Sequence, residues 1–271
     1  MTETKKRTAV VGHPIAHSLS PLLHNAIYER ERIDAEMFRY DETDIVSFVS
    51  TVREEPLHLV AVTLPHKQSV IPLLDEVDHV ASEIGSVNTI INREGMLKGS
   101  NTDFLGIATS LEDLPLEHKN VLVLGAGGAA QPVAYYLRQQ KADLYCFNRD
   151  VEKARELCER FGGTPVVNID DVKNVEFRLI INATPLGLNS SDTLPIPEEF
   201  LHPGMTVFDL IYTPTKLQDI AKRKGANVIS GLGMFVAQGL EQEKRWLGRE
   251  IVDPGYTALL RAELEKNNAL N

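Results

Sequence analysis

The sequence predicts an α/β fold with two domains, because strand and helix patterns alternate along the chain and the alternation restarts near its middle. With 271 residues the chain is long enough for two separate cores, and a hydrophobic content of 43% is typical of a globular protein. A glycine-rich unit begins only at residue 121, so the N-terminal half must form a domain of its own.

Strands and helices take turns in the first half of the chain. Pro21 favours a helix start, because proline is tolerated at the first helical position, and Ser20 before it is a plausible N-cap. The predicted elements are a strand over 8–12, a helix over 21–32, a strand over 58–64, a helix over 69–84 and a strand over 89–92 that ends in a turn at Gly95.

The same alternation restarts at Asn120. The predicted elements are strands over 121–124, 144–147, 179–182 and 206–209, helices over 129–140 and 151–161, and two final helices over 235–247 and 256–266. The final helices have no obvious partner strands, so we expect them to pack back on the N-terminal domain. We therefore expect a substrate-binding domain of residues 1–103 completed by 237–271, a second domain of 104–236, and a cleft between them.

Composition excludes several classes of function. A formal net charge of −10 disfavours nucleic-acid binding, and no run of about 18 apolar residues predicts a membrane span. Cys146 and Cys158 are too few for a disulfide framework and lack the spacing of a zinc site, so we expect buried thiols, no bound metal and a reducing, cytoplasmic location. The composition leaves open whether the protein forms a homodimer.

Residues 121–130, VLVLGAGGAA, predict a dinucleotide-binding loop. A buried strand ends at Leu124, Gly125 permits a tight turn, and Gly127 lets the backbone approach a pyrophosphate at the N-terminus of the next helix. Ala130 fills the third position of the motif, which takes only a small residue. The context favours a Rossmann-type domain, although small residues also serve to pack a helix against a strand.

The end of the next strand favours NADP over NAD. An Asp or Glu that binds the ribose hydroxyls of NAD is expected about 20 residues beyond the first turn, and Asn148 and Arg149 stand there instead. The Arg149 guanidinium can pair with a 2′-phosphate. The Asp150 carboxylate has two interpretations. It either repels the 2′-phosphate, in which case NAD is also a candidate cofactor, or it caps the following helix. We favour the interpretation as a helix cap.

Two serines in the N-terminal half are candidate ligands for a carboxylate. Ser18 and Ser20 lie two residues apart just before a helix, so in an extended backbone their hydroxyls point the same way. Together with the helix N-terminus they can hold a carboxylate by hydrogen bonds. In the alternative interpretation Ser20 is only an N-cap and Ser18 is solvated.

Lys67 is a candidate acid/base residue because it follows the carboxyl end of a strand, where open α/β sheets bind ligands. Lysines at such positions are more often solvated. A nearby carboxylate, such as Asp103 in the segment Asn101-Thr102-Asp103, would orient the amine and tune its pKa if the two meet. His66 could also titrate usefully, but a surface histidine is the simpler interpretation.

Taken together, these motifs resemble the shikimate dehydrogenase family (shikimate/quinate dehydrogenases) along nearly the whole chain. The motifs are HSLSP at 17–21, TLPHK at 63–67, VNT at 87–89, NTD at 101–103, GAGGA at 125–129, NR at 148–149, NATPLG at 182–187, DLIYTP at 209–214 and GLGM at 231–234, which leads to Gln238.

The resemblance implies an NADP-dependent oxidoreductase that reversibly reduces 3-dehydroshikimate to shikimate in aromatic amino-acid biosynthesis (the chorismate pathway), with Lys67 and Asp103 as the catalytic pair. It implies a substrate pocket formed by Ser18, Ser20, Thr63, Lys67, Asn88, Asp103, Tyr212 and Gln238. It implies a nucleotide site formed by Gly125, Ala126, Gly127, Gly128, Ala129, Asn148, Arg149, Thr184, Leu210, Gly231 and Met234.

Two positions depart from the family's pattern. Ala61 stands where an asparagine usually hydrogen-bonds a ring hydroxyl, and Asp150 stands where a Thr or Ser adds a phosphate donor. These departures leave open a paralogue that oxidises quinate or a related ring acid, although Ser20 argues against quinate, whose users more often carry Thr there. A ligand-sensing domain without activity is the other alternative, which the presence of both Lys67 and Asp103 disfavours.

Overall fold

The computed structural model describes residues 5–189 and 191–269. The chain forms two compact units, one made of the residues up to Leu105 together with those from Val236 onward, and one made of Gly106–Phe235. Each unit contains one six-stranded sheet with helices packed on it. The predicted α/β class is therefore confirmed.

The strands and helices follow one another along the chain with short connections. In order they are β1 (Lys6–Gly12), α1 (Ser20–Glu31), β2 (Ala35–Asp41), α2 (Ile45–Glu54), β3 (Leu57–Val62), β4 (Glu76–Val77), α3 (His79–Ile84), β5 (Thr89–Arg93), β6 (Met96–Ser100), α4 (Asp103–Leu111), β7 (Asn120–Leu124), α5 (Ala130–Gln139), β8 (Asp143–Phe147), α6 (Val151–Phe161), β9 (Thr164–Val166), β10 (Leu179–Asn182), β11 (Thr206–Asp209), α7 (Lys216–Arg223), β12 (Asn227–Ser230), α8 (Gly231–Leu247) and α9 (Tyr256–Ala269).

The sheet of the first unit is mixed, with strand order β2-β1-β3-β5-β6-β4. β1, β2 and β3 run parallel, whereas β5 runs against both β3 and β6. The start of β5 therefore lies at the same edge of the sheet as the ends of β1, β3 and β6. The polar segments that follow β1, β3 and β6 therefore lie at this edge, together with the polar segment that precedes β5.

Both faces of the first sheet are buried, which explains the continuous apolar runs in β1 and β3. Successive residues of a strand point to opposite faces. Accordingly Val11 of β1 packs in a cluster with Phe48 of α2, whereas its neighbour Val10 packs with Tyr28 of α1 and Trp246 of α8. Helices thus cover both faces of the sheet and not the edge at which the polar segments lie.

The sheet of the second unit is parallel throughout, with strand order β12-β11-β10-β7-β8-β9. Counted within this unit the order is 6-5-4-1-2-3, which is the strand order of the Rossmann fold. The four apolar residues of β7, Val121–Leu124, are almost fully buried, as expected for a central parallel strand covered on both faces.

The predicted helix over 69–84 is wrong. The segment contains a single 3-10 turn over Ile71–Leu73, then β4 and the short α3. The Asp75 carboxylate accepts a hydrogen bond from Leu97 N (2.7 Å) and so ties the segment to β6, and Asp78 caps a new helix by accepting from Ala81 N (2.7 Å). The apolar residues of this segment pack on the sheet from a 3-10 turn, a short strand and a short helix rather than from one continuous helix.

The predicted N-cap of α1 is also wrong. Leu19 occupies that position and makes no side-chain capping bond, while Ser20 is the first helical residue.

Within the described parts of the chain, none of the helices has the length and apolar character needed to span a membrane.

Candidate active site

The candidate residues of the first unit lie at the polar edge of its sheet. Ser18 and Ser20 follow β1, Thr63 and Lys67 follow β3, and Asp103 follows β6 as the first residue of α4. Because these three strands end at the same edge, residues that are far apart in sequence come together there.

Lys67 and Asp103 form a direct ion pair. The Lys67 Nζ lies 2.6 Å from Asp103 Oδ2, and the two side chains are only 16% and 6% exposed. The backbone of Lys67 is held as well, because Val87 N donates to its carbonyl oxygen (2.7 Å). The structure therefore brings an amine and a carboxylate together in a place that is largely shielded from water.

Asn88 connects this pair to the rest of the site. Its Nδ2 donates to Asp103 Oδ1 (2.9 Å), and its Oδ1 accepts from the backbone N of Thr102 (2.8 Å) and from Thr89 Oγ1 (2.8 Å). A backbone N–H can only donate, so the orientation of the Asn88 carboxamide is fixed by chemistry. Gln238 of α8 joins the same network, because its Oε1 accepts from Asn88 Nδ2 (3.3 Å).

The hydroxyls of Ser20 and Thr63 have unused hydrogen-bonding capacity. Ser20 is buried, and neither hydroxyl has a hydrogen-bond partner among residues 5–189 and 191–269. Thr63 turns its methyl group toward Gly12, where an added Cβ would lie 2.5 Å from Thr63 Cγ2. The Ser18 Oγ accepts from the backbone N of Ser20 (3.3 Å), so the two serines are joined to each other.

His66 and Ala61 lie next to these candidate residues. His66 differs from its predicted exposure, and Ala61 differs from the family pattern. His66 is buried at 2% exposure, and its Nε2 is 2.7 Å from the carbonyl oxygen of Glu42, so the interpretation as a surface histidine is wrong. A carbonyl only accepts, which places a hydrogen on that nitrogen. Ala61 lies in an apolar cluster on the face that also carries Thr89, its partner across β3 and β5.

In the second unit, the glycine loop has the geometry of a phosphate cradle. Gly125 has a φ of +100°, and a Cβ there would lie 3.0 Å from the carbonyl oxygen of Ala183, so glycine is required. A Cβ at Gly127 would meet no described atom within 4 Å. α5 begins at Ala130 after its N-cap residue Ala129, which makes no side-chain capping bond, so the N-cap side chain occupies none of the N-terminal amides that can bind an anion.

The residues after β8 fit a 2′-phosphate. Asp150 is the N-cap of α6 and accepts from Glu152 N (3.2 Å), which confirms the prediction of a cap. Arg149 is exposed, and its guanidinium forms neither a hydrogen bond nor an ion pair with the described residues. Asn148 donates from Nδ2 to the carbonyl oxygen of Asp150 (2.7 Å) and thereby braces the turn.

A buried carboxylate, Asp209, holds the loops that follow β10 and β11. It accepts hydrogen bonds from Asn182 Nδ2 (3.0 Å), Thr215 Oγ1 (2.6 Å) and Gln218 Nε2 (3.2 Å). Burial raises the pKa of Asp209, and these hydrogen bonds offset part of that effect. Asn182 in turn accepts from the hydroxyl of Thr184 (2.6 Å). The sequence interpretation did not identify this network, although Asn182 and Asp209 begin two of its motifs.

The remaining candidates of the second unit follow its last strands. Gly231 lies so close to Leu210 that an added Cβ would be 2.1 Å from the Leu210 carbonyl oxygen. Met234 is buried, one turn into α8. Tyr212 packs its ring against Phe235 with centroids 4.9 Å apart.

Across the described ranges, no group of three or more His, Cys, Asp or Glu side chains could hold a metal ion.

Two protein-family models match the chain, the shikimate dehydrogenase substrate binding domain over residues 10–90 and shikimate / quinate 5-dehydrogenase over residues 107–186. The shikimate dehydrogenase (NADP(+)) of Pyrococcus furiosus is 38% identical over 250 residues, which are 89% of this chain and 90% of that protein.

Solved structures agree with the sequence relatives. The shikimate dehydrogenase of Aquifex aeolicus has a TM-score of 0.89 and 34% identity, covering 95% of this chain and 98% of that one. The shikimate 5-dehydrogenase of Thermus thermophilus, in complex with NADP(H) and shikimate, has a TM-score of 0.85 and 34% identity over 95% of this chain and 99% of that one. With these matches along both of its units, the chain belongs to the shikimate dehydrogenase family.

Proposed function

We propose that this protein catalyses the reversible NADP-dependent oxidation of shikimate to 3-dehydroshikimate, a step of aromatic amino-acid biosynthesis. The observation that carries the proposal is the Lys67–Asp103 pair, oriented by Asn88, at the same sheet edge as the hydroxyls of Ser20 and Thr63, which have no partner among the described residues. The Thermus thermophilus relative, which is known in complex with both shikimate and NADP(H), supports the choice of ligands.

Substrate binding needs groups for a carboxylate and for ring hydroxyls. We assign the carboxylate to Ser18 and Ser20, which lie at the start of α1, where backbone N–H groups favour an anion. Thr63, Asn88 and Gln238 offer hydroxyl and amide groups to the ring hydroxyls. Tyr212 completes the set of proposed substrate residues.

Proton transfer is the task of Lys67. When shikimate is oxidised, Lys67 in its neutral amine form takes the O–H proton of the reacting hydroxyl and becomes the ammonium of the ion pair, and this ammonium returns the proton when the ketone is reduced. Asp103 holds that nitrogen at 2.6 Å and can accept a hydrogen bond from the reacting hydroxyl. Asn88 keeps the Asp103 carboxylate in place through its amide N–H. The residues of the second unit would hold NADP, which would supply the hydride acceptor of the reaction.

The second unit has the residues to hold this cofactor. The loop from Gly125 to Ala129 and the uncapped N-terminus of α5 fit a pyrophosphate, and Asn148 and Arg149 fit the 2′-phosphate that distinguishes NADP from NAD. We assign the rest of the nucleotide to Thr184, Leu210, Gly231 and Met234, which follow β10, β11 and β12.

This assignment gives each part of the chain a role. Residues 1–103 with 237–271 bind the substrate, and residues 104–236 bind the cofactor. The homodimer and the cytoplasmic location stay predictions.

The test is a comparison of initial rates of nicotinamide reduction by the purified protein with shikimate or quinate, each with NADP and with NAD. We expect the highest kcat/KM with shikimate and NADP. Activity with quinate alone, or with NAD alone, contradicts the proposed substrate or cofactor and assigns a paralogue. Ligand binding without turnover for any pair contradicts enzymatic activity and assigns a ligand-sensing role.

A further inference from the structure

Gln242 is a buried polar residue that the proposed site does not yet use. It lies on α8 one helical turn after Gln238, so both side chains lie on one face of the helix, and it is only 1% exposed. Its Nε2 donates two hydrogen bonds, one to the backbone carbonyl oxygen of Asn88 (3.1 Å) and one to Thr89 Oγ1 (3.0 Å). Gln242 therefore binds the segment that supplies the central amide of the site.

These bonds determine where the hydroxyl hydrogen of Thr89 points. Because Gln242 Nε2 donates to Thr89 Oγ1, the single hydrogen of that hydroxyl is available for another acceptor, and it goes to Asn88 Oδ1 at 2.8 Å. The Thr89 hydroxyl thus joins the backbone N of Thr102 in holding Asn88 Oδ1, and Asn88 Nδ2 is directed to Asp103 Oδ1. A continuous chain of hydrogen bonds thus runs from Gln242 to the Asp103 carboxylate.

The position of Gln242 is itself well defined. The next residue, Glu243, is fully buried and hydrogen-bonds both His24 Nδ1 and Tyr28 OH of α1, which fixes the rotation of α8. Beside Thr89, β3 offers only the methyl group of Ala61, and the Thr102 hydroxyl, 3.3 Å from Thr89 Oγ1, is a more distant acceptor than Asn88 Oδ1 at 2.8 Å. The Oε1 of Gln242 is buried and accepts no hydrogen bond from the described residues. The amide is thus held through its N–H groups alone.

We propose that Gln242 is a positioning residue of the reaction, which acts through Thr89 and Asn88 to keep Asp103 against Lys67. The inference rests on the proposed function. It assigns to α8 a second contribution besides Gln238, directed at the proton-transferring pair rather than at the substrate.

The test compares Gln242→Met, which keeps the length of the side chain and removes both donors, with the wild type. Asn88 O also accepts from Val62 N (2.8 Å), so the strand pairing stays in the variant. We expect kcat with shikimate and NADP to fall about tenfold or more, because small displacements of catalytic groups are costly. KM for NADP should change by less than about twofold, and the limbs of the kcat–pH profile should move. Thr89→Val, which removes only the relay hydroxyl, should have the same effect and serves as the second variant.

A double-mutant cycle with Asn88→Ala distinguishes positioning from a general structural role. If Gln242 acts through Asn88, Gln242→Met should reduce kcat little further in the Asn88→Ala background. Lys244→Met, a change on the same helix away from the site, should leave kcat and the pH profile unchanged. Additive effects, or an unchanged kcat and pH profile in both Gln242→Met and Thr89→Val, overturn the inference while wild-type activity keeps the proposed function. A wild type that is inactive with shikimate and NADP overturns both.

Discussion

The polar side chains at the edge of the first sheet divide into two groups according to what they bind in the protein. Lys67, Asp103 and Asn88 satisfy one another, whereas the hydroxyls of Ser20 and Thr63 have no partner within the described ranges. A hydroxyl that has no partner in the protein contributes no intramolecular hydrogen bond to the stability of the fold. Such groups are therefore more easily explained by a ligand that completes their hydrogen bonds than by a contribution to stability.

Ser20→Ala tests this distinction. Because Ser20 is not the N-cap and its hydroxyl binds nothing in the described protein, we expect the melting temperature to stay unchanged. KM for shikimate should rise about tenfold, which corresponds to one lost hydrogen bond to a charged group. Thermal unfolding and steady-state kinetics measure both, with the exposed Ser50→Ala as the control. A loss of about 1 kcal/mol in stability with unchanged KM would instead identify a helix cap.

Arg149→Ala tests the cofactor preference. The guanidinium is exposed and unpaired in the described structure, so its removal should leave the fold intact. We expect the Kd for NADP to rise about 10-fold to 100-fold and the Kd for NAD to change little, because only NADP carries the 2′-phosphate. Arg155→Ala on the exposed side of α6 is the matched control. An equal loss for both cofactors would remove Arg149 from phosphate recognition.

At the scale of secondary-structure elements, the ends of strands carry the candidate site. In the second unit every predicted cofactor residue follows β7, β8, β10, β11 or β12, where a parallel sheet exposes its carboxyl ends. The two glycines of the first loop differ in their reason for being glycine. Gly125 is required by its backbone conformation, whereas Gly127 has room for a side chain within the protein itself.

Gly127→Ala and Gly125→Ala should therefore have different effects. Gly127→Ala should keep the melting temperature and raise the Kd for NADP at least about tenfold, because the new methyl group occupies space that the pyrophosphate needs. Gly125→Ala should lower the free energy of unfolding by about 1–3 kcal/mol through backbone strain. Calorimetry and cofactor titration measure the pair. The opposite pattern, a destabilised Gly127→Ala that binds NADP normally, would contradict the loop assignment.

Some elements could be predicted from sequence and others could not. α6, β10 and β11 have the predicted bounds, since each has a strong apolar pattern with clear turn residues at its ends. The helix predicted over 69–84 failed because Leu73 in the 3-10 turn, Leu74 after it and Val77 in β4 all cover the sheet, and their spacing imitates that of a helix. The sequence prediction also missed β2, α2, β6, α4, β9, α7 and β12. In β6, for example, exposed residues alternate with buried ones, and Lys98 and Gly99 weaken the apolar pattern.

The candidate site shows the same limit. Lys67 and Asp103 were found because each stands in a local motif, and the structure then placed them together. Gln242 and Asn88 interact across 154 positions of sequence, and the Asp209 network joins three separate segments. No local pattern marks such long-range hydrogen bonds, so only the fold could reveal them.

At the scale of the whole molecule, the chain contains two sheets of different design. The mixed sheet of the first unit brings the start of β5 to the ends of β1, β3 and β6, and so assembles the Lys67–Asp103 ion pair with the Asn88 amide that orients it. The parallel sheet of the second unit presents a series of loops suited to a long nucleotide. We infer a division of labour in which the first unit manages the proton and the second unit holds the hydride acceptor.

The turnover of the Lys67→Ala variant is the most direct test of the central claim that the proton passes through Lys67. Turnover of shikimate with NADP should fall by about 10²-fold to 10⁴-fold, the range for loss of a general acid/base. The Kd values for NADP and for shikimate, measured by titration of the same variant, should change far less, and the exposed Lys98→Ala should behave as the wild type. Loss of turnover with both ligands still bound is the predicted result. Turnover equal to that of the wild type would contradict the account, because the proton would then not pass through Lys67.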